Sequence, residues 1–229
     1  LQNTAKRAIK QPELAVLNSQ QNKQSIIKQR ILEEQNMSKI KMSRKEVEDA
    51  LHKSGVRFDD WGKTPGSRHF SRFLDDLQKV RITWDERSPT IIEKDIAVVT
   101  IFYNDHGDRY VLCESEQLFN NGFRFTHNLD GSVADDMLCD ETPSKAALRA
   151  VQKLSQSKPE FNNIGAVDLT PKGLADSIPN MLSHSYPGLQ EVLIRRRFEL
   201  TITSGLYLPQ YAFREIDKVT TCVWKKHSH

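Results

Sequence analysis

Residues Glu141 to Leu154 read ETPSKAALRAVQKL, and the reading of this stretch decides how its neighbours are placed. Thr142 has the hydroxyl an N-cap needs, and Pro143 falls at a first helical position, where its missing N–H costs nothing. Ala146, Ala147, Leu148, Ala150, Val151 and Leu154 follow as helix formers that spread into a broad apolar face. A short helix starting at Thr142 and burying that face is the expectation.

On either side the hydrophobic period changes to that of strands. IAVVTIFYN, Ile96 to Asn104, is a β-branched and aromatic run suited to a strand covered on both faces. DHGD, Asp105 to Asp108, reads as a hairpin turn, and Arg109 to Glu116 as the returning strand. A third strand is expected at Phe123 to His127, after the Asn120–Asn121–Gly122 turn, and a fourth near Ser132 to Leu138. Beyond the helix, SQSKPEFNN is a polar loop and Ile164 to Leu169 a short strand. TPKGLADSIPNMLSHSYPGLQ is punctuated by prolines and glycines and reads as loop with at most one helical turn. EVLIRRRFELTIT, Glu191 to Thr203, returns to strand composition. Gly205 and Pro209 bracket a turn, and VTTCVWK, Val219 to Lys225, is the closing strand. Upstream, Ser43 and Glu46 form an S-x-x-E capping box for a helix that Gly55 stops. Ser67 is placed to open a second helix carrying Phe70, Phe73, Leu74 and Leu77 at helical spacing. The aromatics of these two helices and of the Trp61 turn between them read as core, not as a base-stacking platform.

The helix at Glu141 to Leu154 resembles that of the Nudix box, G-x5-E-x7-R-E-U-x-E-E-x-G-U with U aliphatic. Glu141 and Arg149 keep the E-x7-R spacing, and Val151 fills the aliphatic slot. The acids do not follow. Where the family has R-E-U-x-E-E, this chain has Arg149, Ala150, Val151, Gln152, Lys153 and Leu154, and the leading glycine falls on Asp135. In that family the last glutamates hold the divalent ions that polarise a diphosphate and its attacking water, and alanine, lysine and leucine offer such a cation no oxygen. GVRFDDWGK with SRHFSRFLDDL, and SHSYPGL with KVTTCVW, also resemble Nudix-related proteins of bacteria, algae and plants, so the resemblance reaches from about residue 43 to 225. It implies an α+β fold, a Nudix-like α/β/α sandwich with a mixed sheet, preceded by a small helical subdomain and a basic arm. The expected division is residues 1–42, 43–90 and 91–229.

At 229 residues the chain suffices for one substantial core with an appendage. No apolar run approaches the roughly 20 residues of a membrane span. Cys113, Cys139 and Cys222 lie far apart without metal spacing, which fits free thiols in a reducing, intracellular compartment. The chain opens on Leu1, so targeting signals are not judged from it. The formal charge of +3 is unevenly spread. Residues 1–46 hold ten Lys and Arg against four acids, and taking these from the chain's 33 bases and 30 acids leaves 23 against 26. A basic arm on a mildly acidic body suits a protein partner, RNA or another anionic surface, or is simply a solvated tail. Within it Ile26, Ile27, Ile31 and Leu32 gather on one side of a helical wheel over Gln20 to Asn36, a helix that would need a partner surface.

No catalytic residue and no metal ligand is assigned, and no cofactor is expected. Glu141 and Arg149 read as a structural remnant of the box that fixes loop–helix geometry. Arg195 and Arg197 share one face of a strand and are a candidate anion clamp, or else pair with acids on neighbouring strands. The acids nearest the helix in sequence are Glu114, Glu116, Asp130, Asp135, Asp136, Asp140 and Glu141; capping and solvation account for them without a metal. The seven histidines are scattered, and there is no nucleophile elbow, P-loop or dinucleotide fingerprint. The leading expectation is a catalytically inactive Nudix-fold interaction or structural module, a subunit of a larger protein or ribonucleoprotein assembly. The alternatives are a divergent, Mg²⁺-dependent hydrolase of nucleoside diphosphate-linked substrates and a sensor that holds a nucleotide or phosphosugar without cleaving it.

Overall fold

The computed structural model describes residues 42–120, 122–126 and 133–227. Residues 1–41 of the basic arm, with its amphipathic stretch Gln20 to Asn36, and Asp130 and His229 lie outside the described residues. The remainder belongs to one compact unit, Ile40–His229. No helix among the described residues is long and apolar enough to cross a membrane.

The first helix, α1 (Arg44–Lys53), begins with the capping box: Ser43 Oγ accepts from the Glu46 N–H at 3.3 Å, and a Glu46 carboxylate oxygen accepts from the Ser43 N–H at 2.6 Å. Gly55, at φ +75°, ends it. The second, α2 (Phe70–Lys79), starts two residues later than a Ser67 cap would place it, with His69 at the cap position. Ser67 is occupied elsewhere, because its Oγ accepts from the Gly62 N–H at 2.9 Å and donates to the Thr64 carbonyl at 2.8 Å, closing the turn before the helix.

Ten strands among the described residues form one mixed sheet: β1 (Ile82–Trp84), β2 (Ile91–Asp105), β3 (Asp108–Phe119), β4 (Arg124–Thr126), β5 (Val133–Asp136), β6 (Thr170–Pro171), β7 (Asp176–Leu182), β8 (Gln190–Ile202), β9 (Gln210–Arg214) and β10 (Lys218–Lys226). Strand β2 is its axis. Along one edge it pairs in parallel with β8 from Ile91↔Gln190 to Tyr103↔Ile202. Along the other edge β1, β5 and β3 take successive stretches, all antiparallel. The β2–β3 hairpin turns at His106 and Gly107, both at positive φ, the conformation a two-residue loop needs to match strand twist. The main path runs β6-β8-β2-β3-β10-β9.

Because strand side chains alternate, β2 serves two cores on opposite faces. Ala97, Val99 and Ile101 face the helix α3 (Pro143–Gln152), whose Ala146, Ala147, Ala150 and Val151 are fully buried with Phe198 and Leu200 of β8 beside them. Ile92 faces the other way and joins Val47, Leu51, Trp61, Phe70 and Phe73 of the helical segment. That second core continues across residue 90, so the change of period there marks a change of secondary structure and not a break in packing. Tyr186 and Leu189 complete it from the chain's C-terminal half. The rings of Trp61, Phe73 and Tyr186 lie 4.9–5.2 Å apart, and Trp61 Nε1 donates to the Pro187 carbonyl at 2.8 Å. The aromatics of this segment are core.

Where the sequence suggested loop from 170 to 190, the structure has β6 and β7. Pro179 hid β7, yet proline is tolerated on an edge strand, and the pairing with β8 shifts register between Ile178 and Met181 around it. Ile164 to Leu169 is not a strand; Ala166–Asp168 is a 3-10 turn. Strands β1 and β9 were too short to read. β9 is shielded on its outer side: Ser157 Oγ donates to the Ala212 carbonyl and accepts from its N–H, both at 2.7 Å, and Gln156 does the same for Arg214.

A buried polar node ties the second core together. Asp76 accepts from the Tyr186 hydroxyl and holds Arg68 at 3.1 Å and Arg72 at 3.0 Å. Asp76→Ala should cost about 3 kcal/mol, since it leaves buried partners unmatched, and lower the melting temperature by roughly 6–12 °C. A melt unchanged within 1–2 °C on this roughly 2–4 °C per kcal/mol scale would mean the node is dispensable.

Candidate functional site

The loop before α3 and the helix itself are built as the sequence reading requires. Thr142 caps α3, its Oγ1 accepting from the Lys145 N–H at 3.3 Å. Glu141, one residue earlier, faces back along the helix. Arg149 Nε donates to Glu141 Oε1 at 3.1 Å and Nη2 to Oε2 at 2.8 Å, a bidentate fork. Glu141 Oε2 also accepts from the Leu138 N–H at 3.1 Å. The rest of the guanidinium joins helix to sheet, with Nη1 on the Asp135 carboxylate and Nη2 on the Asp136 carbonyl at 2.7 Å. The Glu141 carbonyl in turn accepts from Arg81 Nη2 at 2.9 Å. Burial opposes the charge on Glu141, but Arg149 and the Leu138 amide outweigh it and hold the carboxyl below its usual range.

One turn further on, at i+4 and so on the same face as Arg149, Lys153 enters the same cluster. Its Nζ lies 3.2 Å from Asp135 Oδ1 and 2.7 Å from Glu215 Oε1. Glu215, between β9 and β10, also faces Lys218 at 3.4 Å. Burial works against the Lys153 charge, and Asp135 and Glu215 overcome it, raising its pKa. Glu215 mirrors this: burial opposes its charge, and Lys153 and Lys218 pull its carboxyl below the usual range. Asp135 is affected most by burial, which pushes its carboxyl up against the pull of Lys153 and Arg149.

The other two changed box positions point inward. Ala150 and Leu154 are both fully buried in the α3 core, where a glutamate would bring a charge into apolar packing. The donor set therefore does not fit the divalent ions of a Nudix box: two of its positions are core, the third is a cation, and the nearby carboxylates are held by Arg149, Lys153 and Lys218. Among the described residues no group of three or more His, Cys, Asp or Glu is placed to hold a metal ion.

A cleft of about 620 Å³ opens beside this cluster, its lining including Asp135, Arg149 and Lys153 together with Gly62, Arg68 and His69. Of the acids near the helix in sequence, Asp135 and Glu141 converge on the cluster. Glu116 pairs with Arg124 at 3.1 Å, and Asp140 is exposed. Two participants escaped sequence reasoning. Lys153 registered only as a missing glutamate, although a base at i+4 from Arg149 already placed two cations on one face. Glu215 lies 62 residues from Lys153, and no local pattern signals such a pairing.

Arg195 and Arg197 do share a face, as the strand period requires, and both guanidinium groups hold one carboxylate, which is the chain's own Asp176 on β7. Arg195 Nη2 contacts Asp176 Oδ2 with Nε 3.2 Å from Oδ1, and Arg197 lies 3.1 Å and 3.3 Å from the same two oxygens. The candidate anion clamp is thus filled from within the protein. Arg196, on the opposite face, lies 3.4 Å from Asp95, which also faces Arg81 at 3.5 Å. Cys113 and Cys222 are buried free thiols, and Cys139 is half-buried with its Sγ 3.2 Å from the Val80 carbonyl.

No protein-family model matches the sequence. No curated protein matches it either. Among solved structures, the chain is similar to a C. elegans Ap4A hydrolase (13% identity, 50% of this chain and 74% of that one, TM-score 0.32). It is similar also to a binary complex of a C. elegans Ap4A hydrolase (12% identity, 58% and 78%, TM-score 0.34) and to RenU, a Nudix hydrolase from M. smegmatis (13%, 57% and 70%, TM-score 0.30). Likenesses of this size say nothing about this chain's chemistry, which rests on the contacts above.

Arg149→Ala should lower stability by about 2–3 kcal/mol, less than the roughly 3–5 of a fully buried pair because the guanidinium keeps 36% of its exposure. An unchanged urea midpoint would refute that. Hydrogen bonds from Arg197 and Arg195 bring the Asp176 carboxyl down to about 2 from 3.8. Such a depressed acid adds stability above its unfolded value and loses it as pH falls through the folded one. Asp176→Asn should therefore flatten the acid limb of stability between about pH 4 and pH 2, and an acid limb of unchanged slope would show that the clamp does not hold this carboxylate.

Proposed function

We propose that this chain is a catalytically silent Nudix-fold protein that serves as an interaction or structural module within a larger assembly. The observation that carries the reading is Lys153. Its ammonium sits between two carboxylates at a box position where the family has a metal-binding glutamate, while Ala150 and Leu154 fill core space. Pyrophosphate cleavage of the Nudix kind needs divalent cations to polarise the phosphoryl oxygens and generate the nucleophile. The Glu141–Arg149 pair supports the same reading, since its contacts are all structural.

The assembly part of the proposal rests on the basic arm, residues 1–42, of which 1–41 lie outside the described residues. Its charge and apolar stripe suit a protein partner in a reducing, intracellular compartment, and an RNA or other anionic surface would be met mainly through phosphate attraction. No cofactor enters this reading.

A second reading, the sensor that holds a nucleotide or phosphosugar uncleaved, is favoured by the cleft beside Lys153, where Arg68, Arg72 and Arg214 join the lining. It takes the same silence for granted and adds a ligand.

The purified protein should show no turnover of a panel of nucleoside diphosphate-linked substrates with Mg²⁺ or Mn²⁺, and turnover above the buffer rate would end the silent reading. A ligand that raises the melting temperature without being cleaved would favour the sensor. Native purification and sizing should find the chain in a complex, and deleting residues 1–42 should leave a cooperative melt but abolish that association. A truncated protein that still co-purifies in full would show that the arm is not the tether.

A further inference from the structure

We infer that the Lys153 ammonium is the resident cation of this site, standing where a divalent ion would be bound and closing Asp135 and Glu215 to one. The inference rests on the silent-box reading and goes beyond it, because it assigns those two carboxylates a cation-binding capacity that Lys153, the one cation touching both, masks.

The geometry supports this in three ways. The ammonium bridges carboxylates from two separate parts of the sheet, β5 and the β9–β10 turn, at 3.2 Å and 2.7 Å. Nothing in local sequence joins them; the sheet carries both to the one ammonium. Both are mostly buried, with side-chain exposures of 15% and 26%, and like charges so placed repel strongly unless something positive lies between them. The remaining oxygens are engaged by cations as well: Asp135 Oδ2 by Arg149 and Glu215 Oε2 by Lys218. A hard divalent ion seeks carboxylate oxygens at about 2.0–2.6 Å, and it could not approach these without displacing the ammonium. Lys153 extends from the end of α3, at i+4 from Arg149, so an acid at position 153 would start from the same backbone position. With Asp135 and Glu215 it would make three carboxylates around one point.

The test compares the full chain with Lys153→Glu, Lys153→Gln and the double variant Lys153→Glu/Asp135→Asn, using Mn²⁺ alone as the probe. Free Mn²⁺ is followed by electron paramagnetic resonance, and stability by thermal melting. The wild type should neither deplete the Mn²⁺ signal nor change its melting temperature. Lys153→Glu should bind Mn²⁺, with a melting temperature about 3–6 °C higher at ten times the dissociation constant than in metal-free buffer. Adding Asp135→Asn should weaken that affinity at least tenfold. Lys153→Gln, which unmasks the carboxylates without adding one, should bind more weakly than Lys153→Glu and carries the comparison should that variant fail to fold. Wild-type binding as tight as the variants', or folded variants with no Mn²⁺ effect, would overturn the inference. The two readings fail separately: substrate turnover by the wild type ends the silent reading, whereas metal-indifferent variants beside an inert wild type end only this one.

Discussion

Arg149 and Lys153 stand one turn apart on the same face of a short helix, and with Lys218 they balance Asp135, Glu141 and Glu215. Partly buried carboxylates gathered at one end of a sheet are unstable unless a cation lies among them, and that constraint organises this end of the molecule. A metal enzyme satisfies it with ions taken from solution. This chain satisfies it with its own side chains, which makes the junction of α3, β5 and the β9–β10 turn part of the fold.

The same economy recurs away from the helix. Arg195 and Arg197 converge on Asp176, and Asp95 lies between Arg81 and Arg196. Asp76 binds Arg68 and Arg72 and receives the Tyr186 hydroxyl, with the aromatic cluster of Trp61, Phe73 and Tyr186 beside it. Each node joins segments far apart in the chain, so the helical segment before residue 90 and the SHSYPGL stretch belong to one core. Its position on the opposite face of β2 from α3 follows from strand alternation: Ile92 and Val99 differ in parity and therefore face different layers.

Much of this was legible in the sequence because it depends on local rules. The capping box at Ser43, the N-cap at Thr142, the two-residue turn at His106–Gly107 and the long β2 run all act over a few residues. The Glu141–Arg149 fork was legible as well, through the E-x7-R spacing that the resemblance to the Nudix box implies. What escaped depends on tertiary context. β7 was hidden by Pro179, which only an edge position excuses, and Ser67 was claimed by the Gly62 turn before it could cap a helix. Lys153 could be read as the loss of a ligand, but its gain of two partners could not, because Glu215 is brought to it by the closing hairpin alone.

The central claim is that protein cations, not metal ions, balance the carboxylates at the end of α3. Anomalous diffraction from crystals grown in manganese chloride tests it most directly. The account expects density for the Lys153 ammonium within hydrogen-bonding reach of both Asp135 and Glu215, and no anomalous peak beside them. A strong manganese peak bridging those two carboxylates in the unmodified protein, with the lysine swung aside, would contradict it.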